Sequence, residues 1–377
     1  MTDAAPATPT ATGGVAVALH AGQLLQPVPG GIGRYVEALA TGLDAFGVTV
    51  EAFAAGPCPD GLAAAVAQRR ARWHDLGWPG GGVRYELWHR LRRPRVAVPG
   101  SIVHAPSLAV PPRDDRPLIV TVHGLEFMRH PDATTRRGHS FHRRGLALAA
   151  RDAELIIAPS EFTRRDLLRE GFDPARVRTI HEGCDPVAPV ADEIVNARVN
   201  SLGISGRYVL TVGTVEPRKQ LDVLVDAFRQ VRVAHPDVAL IIAGPDGWGD
   251  VGDLDAPGVR RVGRLPWNQL DALYRRAQLC CFTSVYEGFG LPVAEALARG
   301  CPVVATRGTA YEEVMGDAGV VVPTGDADAT ATAMLTLLDD DNERAQLAAQ
   351  GRDRVAHMSW TRAVEQHATV YRELASR

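Results

Sequence analysis

Lysine is almost missing from this chain. Of 41 basic residues only Lys219 is a lysine, so arginine serves as the general surface cation and the one ammonium directs attention to its own surroundings. Cysteine is scarce too. Cys58, Cys184, Cys280, Cys281 and Cys301 form no C-x-x-C pair, which speaks against a zinc site or a disulfide framework and fits a reducing cytosol. Aromatics make up 6% of the residues and the formal net charge is -3. There is little to stack on bases and no basic excess to hold a phosphate backbone, so no nucleic-acid partner is expected. No apolar run approaches the ~18 residues of a membrane span, which leaves peripheral contact as the only membrane role. Residues 1–14 are rich in Ala, Pro and Thr and have no basic residue. Without a charged start or an apolar core they do not read as a signal peptide, and a disordered tail is expected.

What remains is an ordinary globular composition, 46% hydrophobic and 23% charged over 377 residues. That length suits two domains, or three. Short apolar runs at 15–19, 101–104, 118–122 and 155–158 read as buried strands in the first half. Runs at 208–212, 238–243, 259–262, 279–282, 302–305 and 319–322 do so in the second. Helix patterns lie between them, at 33–46, 161–170, 221–234, 267–276 and 292–299. Continuous Val/Ile/Leu strands alternating with helices predict parallel sheets covered on both faces, an α/β doubly wound architecture. The pattern weakens where Pro and Ala accumulate after Asp185. The expected organisation is therefore a Rossmann-like domain over 15–190, a linker over 191–205 and a second Rossmann-like domain over 206–357. Ligands of such folds bind at the carboxyl ends of strands, and the informative segments stand there.

Tyr286-Glu287-Gly288-Phe289-Gly290-Leu291-Pro292-Val293-Ala294-Glu295 follows one predicted strand and opens a helix. Its glycines permit close approach of a ligand, Pro292 suits the first helical turn, and the helix start offers N–H groups to an anion. Glu295 suits the hydroxyls of a ribose and Glu287 those of a sugar. A capped helix with two solvated glutamates is the plainer reading of the pair alone. Val212-Gly213-Thr214-Val215-Glu216-Pro217-Arg218-Lys219 places two adjacent cations between a strand and a helix, where they suit a diphosphate. Pro29-Gly30-Gly31-Ile32-Gly33 reads as a glycine loop ahead of a helix. It is not the dinucleotide fingerprint, because the third glycine of G-x-G-x-x-G is missing, and this disfavours a Rossmann dehydrogenase. His123, at the end of a predicted strand, suits a sugar hydroxyl or a leaving phosphate.

Taken together these segments resemble the GT-B glycosyltransferases, specifically the large retaining family 4, over nearly the whole chain. The E-x7-E spacing of Glu287 and Glu295 is the most specific element. The resemblance implies a catalytic set of His123, Glu287, Arg218 and Lys219. It implies a donor-binding set of Gly31, Gly213, Arg218, Lys219, Arg264, Leu265, Glu287, Gly288, Phe289, Gly290, Leu291 and Glu295, with Arg264 and Leu265 at the nucleotide base. Glu313 resembles a further acidic position near the donor. A closing helix, 358–377, would cross back to the N-terminal domain, and the two domains would face a central cleft. Two positions depart from the family pattern: His123 is followed by Gly124 where Asp is frequent, and Glu182 precedes Gly183 where Asn is frequent.

The implied activity is retaining transfer of a hexose from a nucleotide-diphosphate sugar to a glycan or lipid-linked acceptor, as in bacterial mannosyltransferases of polysaccharide biosynthesis. GDP-mannose is the first donor candidate, with UDP-glucose and UDP-N-acetylglucosamine open. A nucleotide-sugar epimerase of the same fold and a non-catalytic nucleotide-sugar-binding protein are the rivals. No cofactor and no metal is expected, since Asp253-Leu254-Asp255 and Asp326-Ala327-Asp328 lie in polar loops where such pairs arise easily by chance. The stretch 69–95 carries eight arginines with Trp73, Trp78 and Trp88. Peripheral contact with an anionic membrane or a lipid-linked acceptor, or an ordinary basic surface, would account for it. The expected location is cytoplasmic.

Overall fold

The computed structural model describes residues 14–184 and 187–377. The tail expected over 1–14 lies outside the described residues, save Gly14. Among the described residues thirteen strands form two sheets. The first holds β1 Val15–His20, β2 Val48–Ala54, β3 Ala71–Asp75, β4 Ile102–Ala105, β5 Leu118–Thr121, β6 Leu155–Ala158 and β7 Val177–Thr179, in the order β3-β2-β1-β4-β5-β6-β7. The second holds β8 Tyr208–Val212, β9 Ala239–Ala243, β10 Val259–Gly263, β11 Leu279–Phe282, β12 Val303–Thr306 and β13 Val320–Val322, in the order β10-β9-β8-β11-β12-β13. Pairing is parallel, as between β1 and its neighbours β2 and β4 and between β8 and its neighbours β9 and β11. The strand order reverses direction beside β1 and beside β8, the switch points at which doubly wound sheets open a crevice.

Sequence pattern locates ten of these strands and misses β2, β3 and β7, all in the first sheet. β3 (ARWHD) and β7 (VRT) lie at the edges of the first sheet, where one flank is unpaired and no continuous apolar run is needed. In β2 the apolar run is broken by Glu51, which is buried and satisfied by Arg72 at 2.8 Å and His74 at 2.6 Å. The helices Leu221–Ala234 and Trp267–Arg276 stand at their predicted bounds. The 17-residue helix Arg136–Asp152 has no predicted counterpart, since its arginines mask a narrow apolar face made by Leu146, Leu148 and Ala149.

Packing divides the described chain into two units. One takes the residues up to Pro106, Val110–Ile119 and Val364–Arg377; the other takes Ser107–Ala109 and Val120–Ala363. In the first unit the C-terminal residues are held by a buried polar quartet. Tyr35 Oη meets His367 Nε2 at 2.6 Å, and His104 Nδ1 meets Tyr371 Oη at 2.7 Å. Part of the basic stretch 69–95 is structural in the same unit. Arg84 is buried and donates to the carbonyls of Leu76, Gly77 and Pro79, and Trp88 is fully buried with its indole N–H on Pro94 O at 3.1 Å. Trp73 donates to Gly56 O, while Trp78 is 90% exposed.

In the second unit, alternate residues of the six-stranded sheet feed opposite cores. Tyr208, Leu210, Cys280, Phe282 and Val303 pack on one face, and Val209, Leu240, Leu279, Cys281 and Val304 on the other. Such double-sided burial is why these strands read as unbroken apolar runs. The stretch 191–205 contains a helix, Asp192–Ser201, whose Val195 and Val199 join the first of these cores.

Candidate active site

The ends of β8, β9 and β10 form one ledge. Gly213 N donates to Ala243 O at 3.0 Å and Gly244 N to Gly263 O at 2.8 Å. Beyond β8 the chain makes a short 3-10 turn, Pro217–Lys219, and enters the helix from Leu221. Beyond β11 the loop to the helix Leu291–Ala298 carries Glu287. Because β8 and β11 are neighbours, the two loops meet, and their charges define the site.

Glu287 Oε1 accepts from Arg218 Nη1 at 2.6 Å, Lys219 Nζ at 2.5 Å and Ser284 Oγ at 2.9 Å. Burial alone would raise its carboxyl. The charges of Arg218 and Lys219, with hydrogen bonds from Lys219 and Ser284, overcome this and hold it at about 2. Arg218 also donates from Nη2 to Glu216 Oε1 at 2.5 Å and from Nη1 to Tyr286 O at 2.8 Å. Burial opposes its charge, but Glu287 and Glu216 more than reverse this and raise its pKa. The Arg218 fork is thus committed to protein groups, whereas Lys219 uses one of three donors on Glu287. Burial, reinforced by the Glu287 charge, pushes the Tyr311 phenol well up. Tyr311 Oη lies 3.0 Å from Ser284 Oγ. A small cavity beside these groups is lined by Gly213, Thr214, Lys219, Thr283 and Ser284. Gly213 leaves room for the lysine stem, for a Cβ there would come within 3.1 Å of Lys219 Cε.

The loop that carries Glu287 is clasped from outside. Ser160 Oγ and Thr163 Oγ1 donate to Gly288 O at 2.5 and 3.0 Å. Tyr286 Oη donates to Asp166 at 3.1 Å and accepts from Leu125 N at 2.9 Å. Gly288 lies against the His123 backbone, and a Cβ at Gly288 would fall 1.6 Å from His123 O, so only glycine fits. Gly290 has φ +101° and caps the helix start. His123 therefore stands beside the Glu287 loop, and its Nδ1 is 2.8 Å from Glu182 Oε1.

The other expected residues are placed as follows. Glu295 lies in the helix, buried, and accepts from Tyr274 Oη at 2.9 Å. Phe289 and Leu291 are buried in the core of the second unit. Arg264, exposed, and Leu265, half-buried, follow β10 at the end of the ledge. Gly31 belongs to the first unit and is exposed there. It lies within the helix Gly30–Gly42, not in a loop ahead of one: the helix starts three residues before its predicted start, with Gly33 N already bonded to Pro29 O. Glu313 is bonded to backbone and to a histidine. Its carboxylate accepts from the backbone N–H of Glu161 and Phe162, each at 2.8 Å, and from His181 Nε2 at 2.7 Å. Of the aspartates in the two D-x-D strings, Asp253 accepts from Asp255 N, Asp326 caps a helix by accepting from Ala329 N, and Asp328 accepts from Gln230. Sequence reasoning missed Glu216, Ser284, Tyr286 and Ser160 as members of the constellation. Glu216 and Tyr286 stand inside the quoted motifs, and spacing alone cannot say which way they point.

Comparison with known proteins decides the family. Residues 206–340 match the family described as "Glycosyl transferases group 1", and residues 29–187 match "Glycosyltransferase Family 4". The O-antigen chain mannosyltransferase B of Escherichia coli is 32% identical over 289 residues, 72% of this chain and 74% of that protein. The chain belongs to the family 4 glycosyltransferases. A phosphatidyl-myo-inositol mannosyltransferase of Mycolicibacterium smegmatis is 35% identical over 174 residues, 44% of this chain and 45% of that protein. Among solved structures, a sucrose-phosphate synthase from Thermosynechococcus elongatus aligns with TM-score 0.76 at 22% identity, covering 96% of this chain and 99% of that one. The Anabaena protein HepE, solved with UDP and glucose, aligns with TM-score 0.70 at 19% identity and the same coverage. These two likenesses show the GT-B fold of this glycosyltransferase, whose substrate class is the nucleotide sugars.

Proposed function

We propose that this glycosyltransferase moves a hexose, with retention of anomeric configuration, from a nucleotide-diphosphate sugar to a glycan or lipid-linked acceptor. GDP-mannose is the first donor candidate. The observation that carries the reading is the half-buried group of Glu287, Arg218 and Lys219 beside the start of the helix Leu291–Ala298. Negative charge grows on the departing diphosphate. Lys219, with donors to spare, and the N–H groups ahead of that helix stabilise it without reorganising. Arg218, locked by two carboxylates, keeps Glu287 aimed where a sugar hydroxyl would lie. Glu295 takes the ribose, Arg264 and Leu265 the base, Gly31 the phosphate, and His123 a hydroxyl of the transferred sugar. Departure from the front face needs no enzyme nucleophile. In this reading residues 15–190 and 206–357 are the acceptor and donor domains. The mannosyltransferase relatives support the choice of sugar. HepE, solved with UDP and glucose, keeps UDP-glucose as a second donor.

A thermal-shift panel of GDP-mannose, UDP-glucose and UDP-N-acetylglucosamine tests the donor, followed by hydrolysis of the best binder. Lys219→Ala is expected to weaken nucleotide-sugar binding on the order of tenfold or more, the loss of one charge-assisted hydrogen bond. Unchanged binding in both Lys219→Ala and Glu295→Ala would remove the site. Transfer is expected to persist in EDTA, and activity lost there and restored by manganese would overturn the metal-free mechanism. No helix among the described residues is long and apolar enough to cross a membrane. Cytoplasmic location, with the exposed Trp78, Arg93 and Arg95 as a peripheral contact for anionic lipid, belongs to the same reading. Sedimentation with anionic liposomes at physiological salt is its test, and no binding removes it.

A further inference from the structure

Glu182 faces His123 and gives that ring a fixed orientation. The two residues stand just beyond β7 and β5, with β6 between those strands. Glu182 is 5% exposed, and among the described residues its side chain has one hydrogen-bonding partner, His123 Nδ1 at 2.8 Å. A buried carboxylate needs a donor close by. The imidazole can supply one only with a proton on Nδ1, whether the ring is neutral or charged. Nε2 is thereby turned to the opposite side of the ring. The backbone of the same histidine is wedged against Gly288, next to Glu287. His123 is thus fixed at both ends, its main chain by the Glu287 loop and its ring by Glu182.

We propose that Glu182 is a positioning residue for the transfer reaction. It holds the Nδ1-protonated form of His123 and aims Nε2 at the reacting sugar, without touching substrate. The proposal rests on the place given to His123 above and adds to it the group that fixes its tautomer and direction. A histidine freed from such a partner samples other rotamers and the Nε2–H tautomer, and misplacing a contacting group by about 1 Å costs on the order of 100-fold in rate.

Two measurements test it. The first is nitrogen-15 NMR of histidine-labelled protein, with the His123 signals assigned by their loss in His123→Gln. A protonated Nδ1 is expected in the natural protein, with redistribution between the two ring nitrogens in Glu182→Ala. Identical ring signals in the two proteins would overturn the proposal whatever the kinetics. The second is hydrolysis of GDP-mannose or UDP-glucose, whichever is turned over. Glu182→Ala is expected to lower kcat on the order of 100-fold with KM within about threefold. The isosteric Glu182→Gln should keep the fold and fall between. The double variant with His123→Ala should be no slower than His123→Ala alone. A wild-type kcat in Glu182→Ala, or multiplied losses in the double variant, would overturn it. Should His123→Ala itself keep the wild-type kcat while Lys219→Ala loses nucleotide binding, the role of His123 falls, and with it Glu182's part in turnover, but the donor site stands.

Discussion

Glu287 shows how a single half-buried carboxylate ties stability to function. Its folded carboxyl lies at about 2 against an ordinary 4.5, so the folded state holds it ionised more firmly than the unfolded chain does. The stability this supplies is fully present above pH 4.5 and is lost as pH falls through 4.5 toward 2. The shift corresponds to about 3 kcal/mol. Urea unfolding between pH 6 and pH 3 is expected to show a steeper acid loss in the natural protein than in Glu287→Gln, and equal slopes would refute the assignment. The same variant leaves Arg218 and Lys219 without their shared acceptor, so it should also be less stable at pH 7. The motif string makes Glu287 legible in the sequence. Its ionisation is not, because that depends on two cations 69 and 68 residues away in the chain that only the pairing of β8 with β11 brings near.

At the scale of elements, the helix Glu161–Arg169 does two things with one residue. Ser160 accepts from Thr163 N as its N-cap and donates to Gly288 O in the Glu287 loop. Ser160→Ala removes both bonds and is expected to cost about 1–2 kcal/mol, read as a lower midpoint in denaturant. Ser160→Thr, which keeps the hydroxyl, should recover most of it. Tyr286→Phe would strand Leu125 N and one oxygen of Asp166, both buried, and should cost about 1–3 kcal/mol. If neither variant moves the midpoint, the clasp contributes nothing to stability. Period and capping reveal the helix, and its start and end match the prediction to within a residue. That its first turn grips a loop 128 residues later has no counterpart in the pattern, because a serine before a helix reads only as a cap.

At the scale of the molecule, residues 364–377 belong to the first unit although they end the chain. His367 and Tyr371 are fully buried and bonded to Tyr35 and His104. A chain ending at Ala363 would remove the groups bonded to Tyr35 and His104 and would expose the apolar face that Val364, Ala368 and Val370 cover. Such a truncation is expected to abolish cooperative thermal unfolding of the first unit, and a truncated protein that melts like the natural one would contradict this. The sequence by itself determined the architecture, ten of the strands and the two loops that carry the charges. Burial on both faces writes a continuous apolar run, and strand ends are where doubly wound folds place ligands. Only the tertiary structure decided what those charges touch. Glu216 clamping Arg218, Glu182 facing His123 and Glu313 capping a helix start join residues that are adjacent to nothing of theirs in sequence order, or that point one way of several, and direction is a property of packing.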